Sequence, residues 1–419
     1  MRIKALFRLA FCLLGFLLLA GCGRHKEVLN LFKQAIQCNE KGDWNGAIGI
    51  LNRAIEIDPE SSSLYSERAE AEAALKQYDK AIADCDRSLE RTPRDNFAFL
   101  FRGLSELKLK QYDKAISDLD RYIEIYSNNA NAFLERGRAK VDKGDLENAV
   151  SDFQDSVQLD STNADAFDEL GIVDYKLSDY GDANVALTRA IELGMKNSNI
   201  YLYRGASEVC EATQDRTRAD MAKYVKLDLD EAIADFGETL KLDPTSREAN
   251  YFRGVAWMIG TNWEAAASDL SKSIELNPTN SVVYTLRGIA EFHEGDLDSS
   301  IQDLTRAIQL KPNECTAYAA RAWAKYREGD ASGAGADCKK SIQLYEQDPE
   351  AIQLYKMDPN LLFYQQILLY RQSCQQGLID YIDGNFKKAI TDWENAIQQE
   401  PRLERELEPW IEKAKAKSR

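Results

Sequence analysis

Histidine is nearly absent: 419 residues contain two, His25 and His293. Imidazole-based acid–base catalysis and His-built metal sites therefore have almost no material to work with. The 8 cysteines include no C-x-x-C spacing, which removes thiolate metal cages and dithiol redox pairs. Prolines number 9 and glycines 23, too few for a collagen-like or linker-dominated chain. Basic residues are the minority, 53 against 69 acidic, for a net charge of −16. Without residues 1–21, which hold Arg2, Lys4 and Arg8 and no acid, 50 basic face 69 acidic side chains, or −19. Such a chain is poorly made to wrap phosphate backbones, and no nucleic acid is expected as a partner. No metal, cofactor or catalytic residue is expected. With 29% charged and 44% hydrophobic residues, the bulk of the chain reads as folded.

After Ala20 no apolar run approaches the 18 residues of a membrane span. Before it, the basic stretch Met1–Arg8 leads into a 12-residue apolar run, Leu9–Ala20, the length of a signal-peptide core. The run ends in Leu19-Ala20-Gly21-Cys22, which resembles the bacterial lipobox. That resemblance implies a lipoprotein signal peptide over 1–21 and acylation of Cys22. Residues 22–27 would then be a short linker from a membrane-surface anchor that does not span the bilayer. Gly23 in place of Asp after the cysteine implies the periplasmic face of the outer membrane rather than the inner membrane. Of the other cysteines, Cys12 leaves with the signal. Cys38, Cys85, Cys210, Cys315, Cys338 and Cys374 read as small hydrophobes in helix packing, with a disulfide such as Cys338–Cys374 permitted by the compartment.

Self-similarity accounts for the rest. Segments Ala54–Pro59, Thr239–Pro244, Ser273–Pro278 and Ala307–Pro312 share one pattern, and Pro59–Pro93, Pro244–Pro278 and Pro278–Pro312 are each spaced by 34. That period resembles the tetratricopeptide repeat. The frame places repeats 1–5 at 28–197, repeat 6 at 198–246 with a 15-residue insert at 212–226, and repeats 7–9 at 247–348. An irregular insert follows at 349–369, then repeat 10 at 370–403 and a capping helix at 404–419. The resemblance implies an all-α, right-handed superhelical solenoid of about ten helix-turn-helix units in a single array.

Within this frame an arginine recurs at position 7 and an aspartate at position 23. The pairs are Arg68/Asp84, Arg102/Asp118, Arg136/Asp152, Arg204/Asp235, Arg253/Asp269, Arg287/Asp303 and Arg321/Asp337. Repeat 5 loses both together, to Leu170 and Ala186, and repeat 1 has Gln34 and Ile50. Loss and gain within one unit predict a bridge between the two helices of the same repeat.

In proteins that this chain resembles, first-helix positions 2, 5, 9, 12 and 13 line a concave groove. Here the groove of repeats 2–4 is mixed, with Glu70, Phe97, Leu100, Leu104, Lys108 and Arg138. In repeats 7–9 it turns apolar: Tyr251, Val255, Met258, Ile259, Ile289, Phe292, Trp323 and Tyr326, edged by His293 and Arg327. That stripe is the expected docking surface for an apolar peptide or amphipathic helix. No Lys occupies position 5 and no Asn position 9, so a carboxylate-clamp ligand is not expected. Of the inserts, 212–226 could lengthen the helices of repeat 6, cross the groove or form a solvated loop. The other carries a short duplication, Ile342–Pro349 and Ile352–Pro359. The functional expectation is a membrane-anchored scaffold at the bacterial cell envelope that binds envelope proteins. Pilotin activity, outer-membrane or peptidoglycan assembly, and glycan or polymer binding are the alternatives, the last requiring Trp323 and Tyr326 to stack face-out.

Overall fold

The computed structural model describes residues 23–214, 221–347, 372–399 and 403–418. The signal segment, Cys22 and the 349–369 insert lie outside them. The described residues are helical, with no strand among them. Repeat 1 is α1 (Gly23–Glu40) and α2 (Trp44–Ile57), and repeat 2 is α3 (Ser62–Ala74) and α4 (Tyr78–Arg91). Repeat 3 is α5 (Asn96–Lys108) and α6 (Tyr112–Ile125); repeat 4 is α7 (Ala130–Lys143) and α8 (Leu146–Leu159). Repeat 5 supplies α9 (Ala164–Leu177) and α10 (Tyr180–Glu192), and repeat 6 supplies α11 (Ser198–Gln214) and α12 (Met221–Leu242). Then come α13 (Arg247–Ile259), α14 (Trp263–Leu276), α15 (Ser281–Glu294), α16 (Leu297–Leu310), α17 (Cys315–Glu328) and α18 (Ala331–Gln347) for repeats 7–9. The last repeat is α19 (Gln372–Ile382) and α20 (Phe386–Gln399), followed by α21 (Glu404–Lys417).

Two expectations change here, and one alternative left open is decided. The chain divides into two compact units, Met1–Leu177 and Ser178–Arg419, rather than forming a single one. The division falls inside repeat 5, the repeat whose Arg and Asp are replaced by Leu170 and Ala186. Residues 23–27, expected as linker, belong to α1; Arg24–Glu27 contains no helix breaker, so the first helix runs back through them. The insert in repeat 6 is helical on both sides, extending α11 to Gln214 and starting α12 at Met221.

Local chemistry sets the helix ends. Asp95 accepts from the Phe97 and Ala98 amides at the start of α5, and Ser246 from Ala249 at the start of α13. Between the helices of a repeat the fifteenth residue turns through positive φ. Glycine serves at Gly144, Gly295 and Gly329, whereas Lys110 and Thr261 adopt it at a steric cost.

Close helix packing rests on complementary volumes at positions 8 and 24. All ten position-24 residues, from Leu51 to Trp393, are fully buried. Where that residue is Phe153, Phe236 or Trp393, position 8 is Gly137, Gly205 or Gly377; a Cβ on Gly137 would lie 2.5 Å from the Phe153 ring. Where it shrinks to Cys85 or Cys338, position 8 grows to Ala69 or Ala322. Two cysteines thus serve as volume fillers, and Cys338, considered above for a disulfide, carries a free thiol. In repeats 2, 4, 6, 7 and 9 a hydroxyl at position 27 ties the helices at their far end. Ser156 donates to Ala130 O at 2.9 Å and Ser341 to Cys315 O at 2.7 Å.

Candidate functional site

Each Arg–Asp pair joins the two helices of one repeat through two parallel hydrogen bonds. Arg102 donates from Nε and Nη2 to Asp118 at 2.6 and 2.8 Å, and Arg287 to Asp303 at 2.6 and 2.8 Å. The same fork forms at Arg68–Asp84, Arg136–Asp152, Arg204–Asp235, Arg253–Asp269 and Arg321–Asp337. A feature not anticipated from sequence is the third arm. Nη1 reaches back sixteen residues to the second helix of the preceding repeat. Its acceptors are Asn52, Asp86 and Asp120 at 2.7 Å, and Ser271 and Thr305 at 3.0 Å. Gly237 stands at that place before Arg253 and offers no side-chain acceptor. The signal was present as a polar residue at position 25, but its meaning needs the relative placement of neighbouring repeats. In repeats 2–4, 8 and 9 an aromatic ring at position 4 completes the site below the guanidinium, as Phe133 does 5.4 Å from Arg136. Planar, five-donor arginine suits this three-way contact; lysine would not.

Position 11 sits beside these pairs and, apart from Trp257 in repeat 7, comes in two kinds. Lys140 and Lys325 add a cation to the aspartate, 2.7 Å from Asp152 and 2.8 Å from Asp337. Glu72, Glu106 and Glu291 instead bring a second carboxyl, and the Oε2 atom of each is buried without a hydrogen-bond partner among the described residues. Burial, and then repulsion from the neighbouring aspartate, push Glu72 and Glu106 up to about 7 and Glu291 up to about 8. A carboxyl raised in the fold stabilises fully below its ordinary pKa, and that contribution is lost as pH rises through the folded value. Thermal midpoint should therefore fall by a few degrees between about pH 6.5 and about pH 8.5, and a Glu72→Gln/Glu106→Gln/Glu291→Gln variant should flatten the slope. His293 acts in the opposite sense below its ordinary pKa, because burial and then Arg327 hold it down to about 4. Calorimetry across the two windows separates the contributions.

The apolar stripe of repeats 7–9 is not an open docking surface. Val255, Met258, Ile289, Phe292 and Trp323 are buried, because small residues such as Gly254, Gly288 and Ala320 let neighbouring helices close over them. Tyr251, Ile259, His293 and Tyr326 are half-buried, and Arg327 is exposed. His293 stacks on Trp263 at 4.1 Å, and Arg327 donates to Phe292 O at 3.1 Å while lying over that ring. The C-terminal helix does more than cap the array. Its Leu407, Ile411 and Ala414 face inward, and Trp410 meets Trp323 and Tyr326 edge-on, each at 5.5 Å. Face-out stacking, the geometry a glycan platform needs, is therefore absent from these two residues.

The first unit retains an accessible groove segment. Phe97, Leu100 and Leu104 are half-buried on α5, and Lys108 is exposed at its end. Beside them lies a cleft of about 320 Å³, lined by Leu107, Lys108, Tyr112, Arg138, Val141 and Glu169 among others. Arg138 is held across it, 2.8 Å from Glu135 and 2.8 Å from Glu169. Among the described residues no cluster of His, Cys, Asp and Glu is placed to hold a metal, and no helix is long and apolar enough to cross a membrane.

Paired helices stacked in this way define a helical-repeat interaction scaffold, a class that is typically non-catalytic. Residues 40–96, 98–166 and 222–281 match the tetratricopeptide repeat family, and the chain carries tetratricopeptide repeats. Human tetratricopeptide repeat protein 28 is 38% identical over 58 residues, 14% of this chain and 2% of that protein. Among solved structures, YrrB, a protein of this kind with an unusual peptide-binding site, is 19% identical over 48% of this chain and 95% of its own, with a TM-score of 0.40. PilF of Pseudomonas aeruginosa is 20% identical over 55% of this chain and 99% of its own, at 0.46. The C-terminal part of a repeat protein from Cytophaga hutchinsonii is 18% identical, covering 61% and 98%, at 0.45.

Proposed function

We propose that this protein is a lipid-anchored scaffold of the bacterial cell envelope, which receives an apolar or amphipathic segment of another envelope protein in the groove of repeats 3–5. The cleft beside α5 is the observation that carries this reading. It offers apolar walls in Leu107 and Val141 and a rim of both charges in Lys108, Arg138, Asp142 and Glu169. Arg138 is pre-ordered by its two carboxylates, so a partner would meet a fixed cation without the entropy of ordering it. Anchoring rests on the lipobox Leu19-Ala20-Gly21-Cys22, and the outer membrane on Gly23. The partner that emerges would decide among pilotin, assembly-factor and general adaptor roles.

Two measurements test this. Cys22→Ala should abolish incorporation of labelled palmitate and release the chain from the membrane fraction; unchanged labelling would remove the anchor. Leu104→Ser/Arg138→Ala should lose the envelope proteins that the full chain captures from solubilised membranes, with circular dichroism unchanged. Equal capture would move the docking site elsewhere. Phe292→Ala, Trp323→Ala and Tyr326→Ala should act chiefly on stability, since these side chains are packed inside.

A further inference from the structure

A second cleft, of about 630 Å³, is formed by α4, α5 and α6, and it is polar. Asp79, Asp86, Glu106, Asp113 and Asp118 line it together with Arg102. Most of its charges already have partners. Arg102 bonds Asp86 and Asp118 at 2.7 and 2.6 Å, Lys143 of α7 bonds Asp113 at 2.7 Å, and Lys114 donates to Gln111 at 3.0 Å. Among the buried ones, Glu106 is the exception. It is 5% exposed, lines the cleft, and its Oε2 has no hydrogen-bond partner among the described residues. An acceptor buried in this way is costly unless something donates to it.

The array itself shows what fits. One repeat further on, the residue equivalent to Glu106 is Lys140, whose ammonium lies 2.7 Å from Asp152, the equivalent of Asp118. In repeat 9 the equivalent Lys325 lies 2.8 Å from Asp337. In repeat 3 the aspartate and its arginine are in place and the ammonium is not.

We propose that the Glu106 cleft binds a primary ammonium group, seated between Glu106 and Asp118 in the place that Lys140 fills in repeat 4. Two sources share that chemistry: the side chain of a lysine on a bound protein segment, and a free aliphatic diamine. Binding is coupled to ionisation of Glu106, which burial holds protonated up to about 7. The groups facing it are Arg102 on its own helix, Asp113, Lys114 and Asp118 on α6, Asp79 and Asp86 on α4, and Lys143 on α7. Affinity should therefore rise from about pH 6 to about pH 8.

The test is calorimetric titration of the full chain in detergent with 1,5-diaminopentane and, separately, with Nα-acetyl-lysine methylamide; Nα-acetyl-norleucine methylamide is the control. Saturable binding of an amine is expected, absent for norleucine and tighter at the higher pH. The tighter of the two amines identifies the source. Glu106→Gln should weaken binding by about tenfold or more, the loss of one charged contact. Glu106→Lys, built on the repeat 4 pattern, should keep its thermal midpoint and lose binding because the site is filled from within. Undiminished binding by either variant, equal binding of norleucine, or no saturable heat with either amine overturns the proposal.

Discussion

Replacing Asp152 by Ala should lower the folding free energy by about 3–5 kcal/mol, the range for removing one partner of a buried charge pair. Asp152 is 1% exposed and accepts from Arg136 Nε and Nη2 at 2.9 and 2.5 Å and from Lys140 at 2.7 Å. Without it two cations share a half-buried site that retains only Asp120, 2.7 Å from Arg136, and the neutral Asn148 carbonyl, 3.3 Å from Lys140. The two helices of repeat 4 then lose their anchor, while the junction to repeat 3 keeps the Arg136–Asp120 bond. Arg136→Lys should be intermediate, because a compact ammonium cannot hold two forked bonds and a third behind them. Replacing both partners by apolar residues of similar volume should come much closer to the parent, since no orphaned charge remains. Denaturant unfolding of the three variants checks the order. A loss below about 1 kcal/mol for Asp152→Ala would place the pair among ordinary surface ion pairs.

Trp393→Ala should cost a similar amount, about 3–5 kcal/mol, through the cavity left by a fully buried indole. Trp393 donates to Cys374 O at 3.2 Å and packs on Tyr381 at 5.7 Å and Trp410 at 6.4 Å. Gly377 is shaped to that ring, since a Cβ there would fall inside contact distance of the indole. The loss should be local. Repeats report to their neighbours, so repeat 10 and α21 should melt first while the helices before them persist. Hydrogen exchange resolved along the chain would show protection lost over 372–418 at the lowest denaturant. Uniform loss of protection would argue for a single cooperative block instead. Freed from Trp410, Trp323 and Tyr326 should also become more accessible, which fluorescence quenching reads independently.

The first prediction concerns residues that the sequence already shows as a pattern. The 34-residue period located the helices, and the joint loss of Arg and Asp in repeat 5 pointed to pairing within a repeat. These are properties of one repeat, where sequence separation is small and helix geometry dictates the neighbours. Volume pairing, Gly137 opposite Phe153 and Ala69 opposite Cys85, emerged only once the helices were packed. The docking stripe was not legible. Position 9 is apolar in both repeat 3 and repeat 9, yet Leu104 is half-buried whereas Trp323 is almost wholly buried. The difference arises from a helix 87 residues further on in the chain, which brings Trp410 against Trp323.

Sequence alone therefore determined the repeat, its helices and its ion pairs, because each is set by local spacing. Only the tertiary structure decided which groove residues stay accessible and where the guanidinium's third arm goes. It also decided that Glu106 lacks the ammonium Lys140 supplies. Those outcomes depend on how separate repeats and the terminal helix come together, and exposure belongs to the packed molecule rather than to any residue's place in a period.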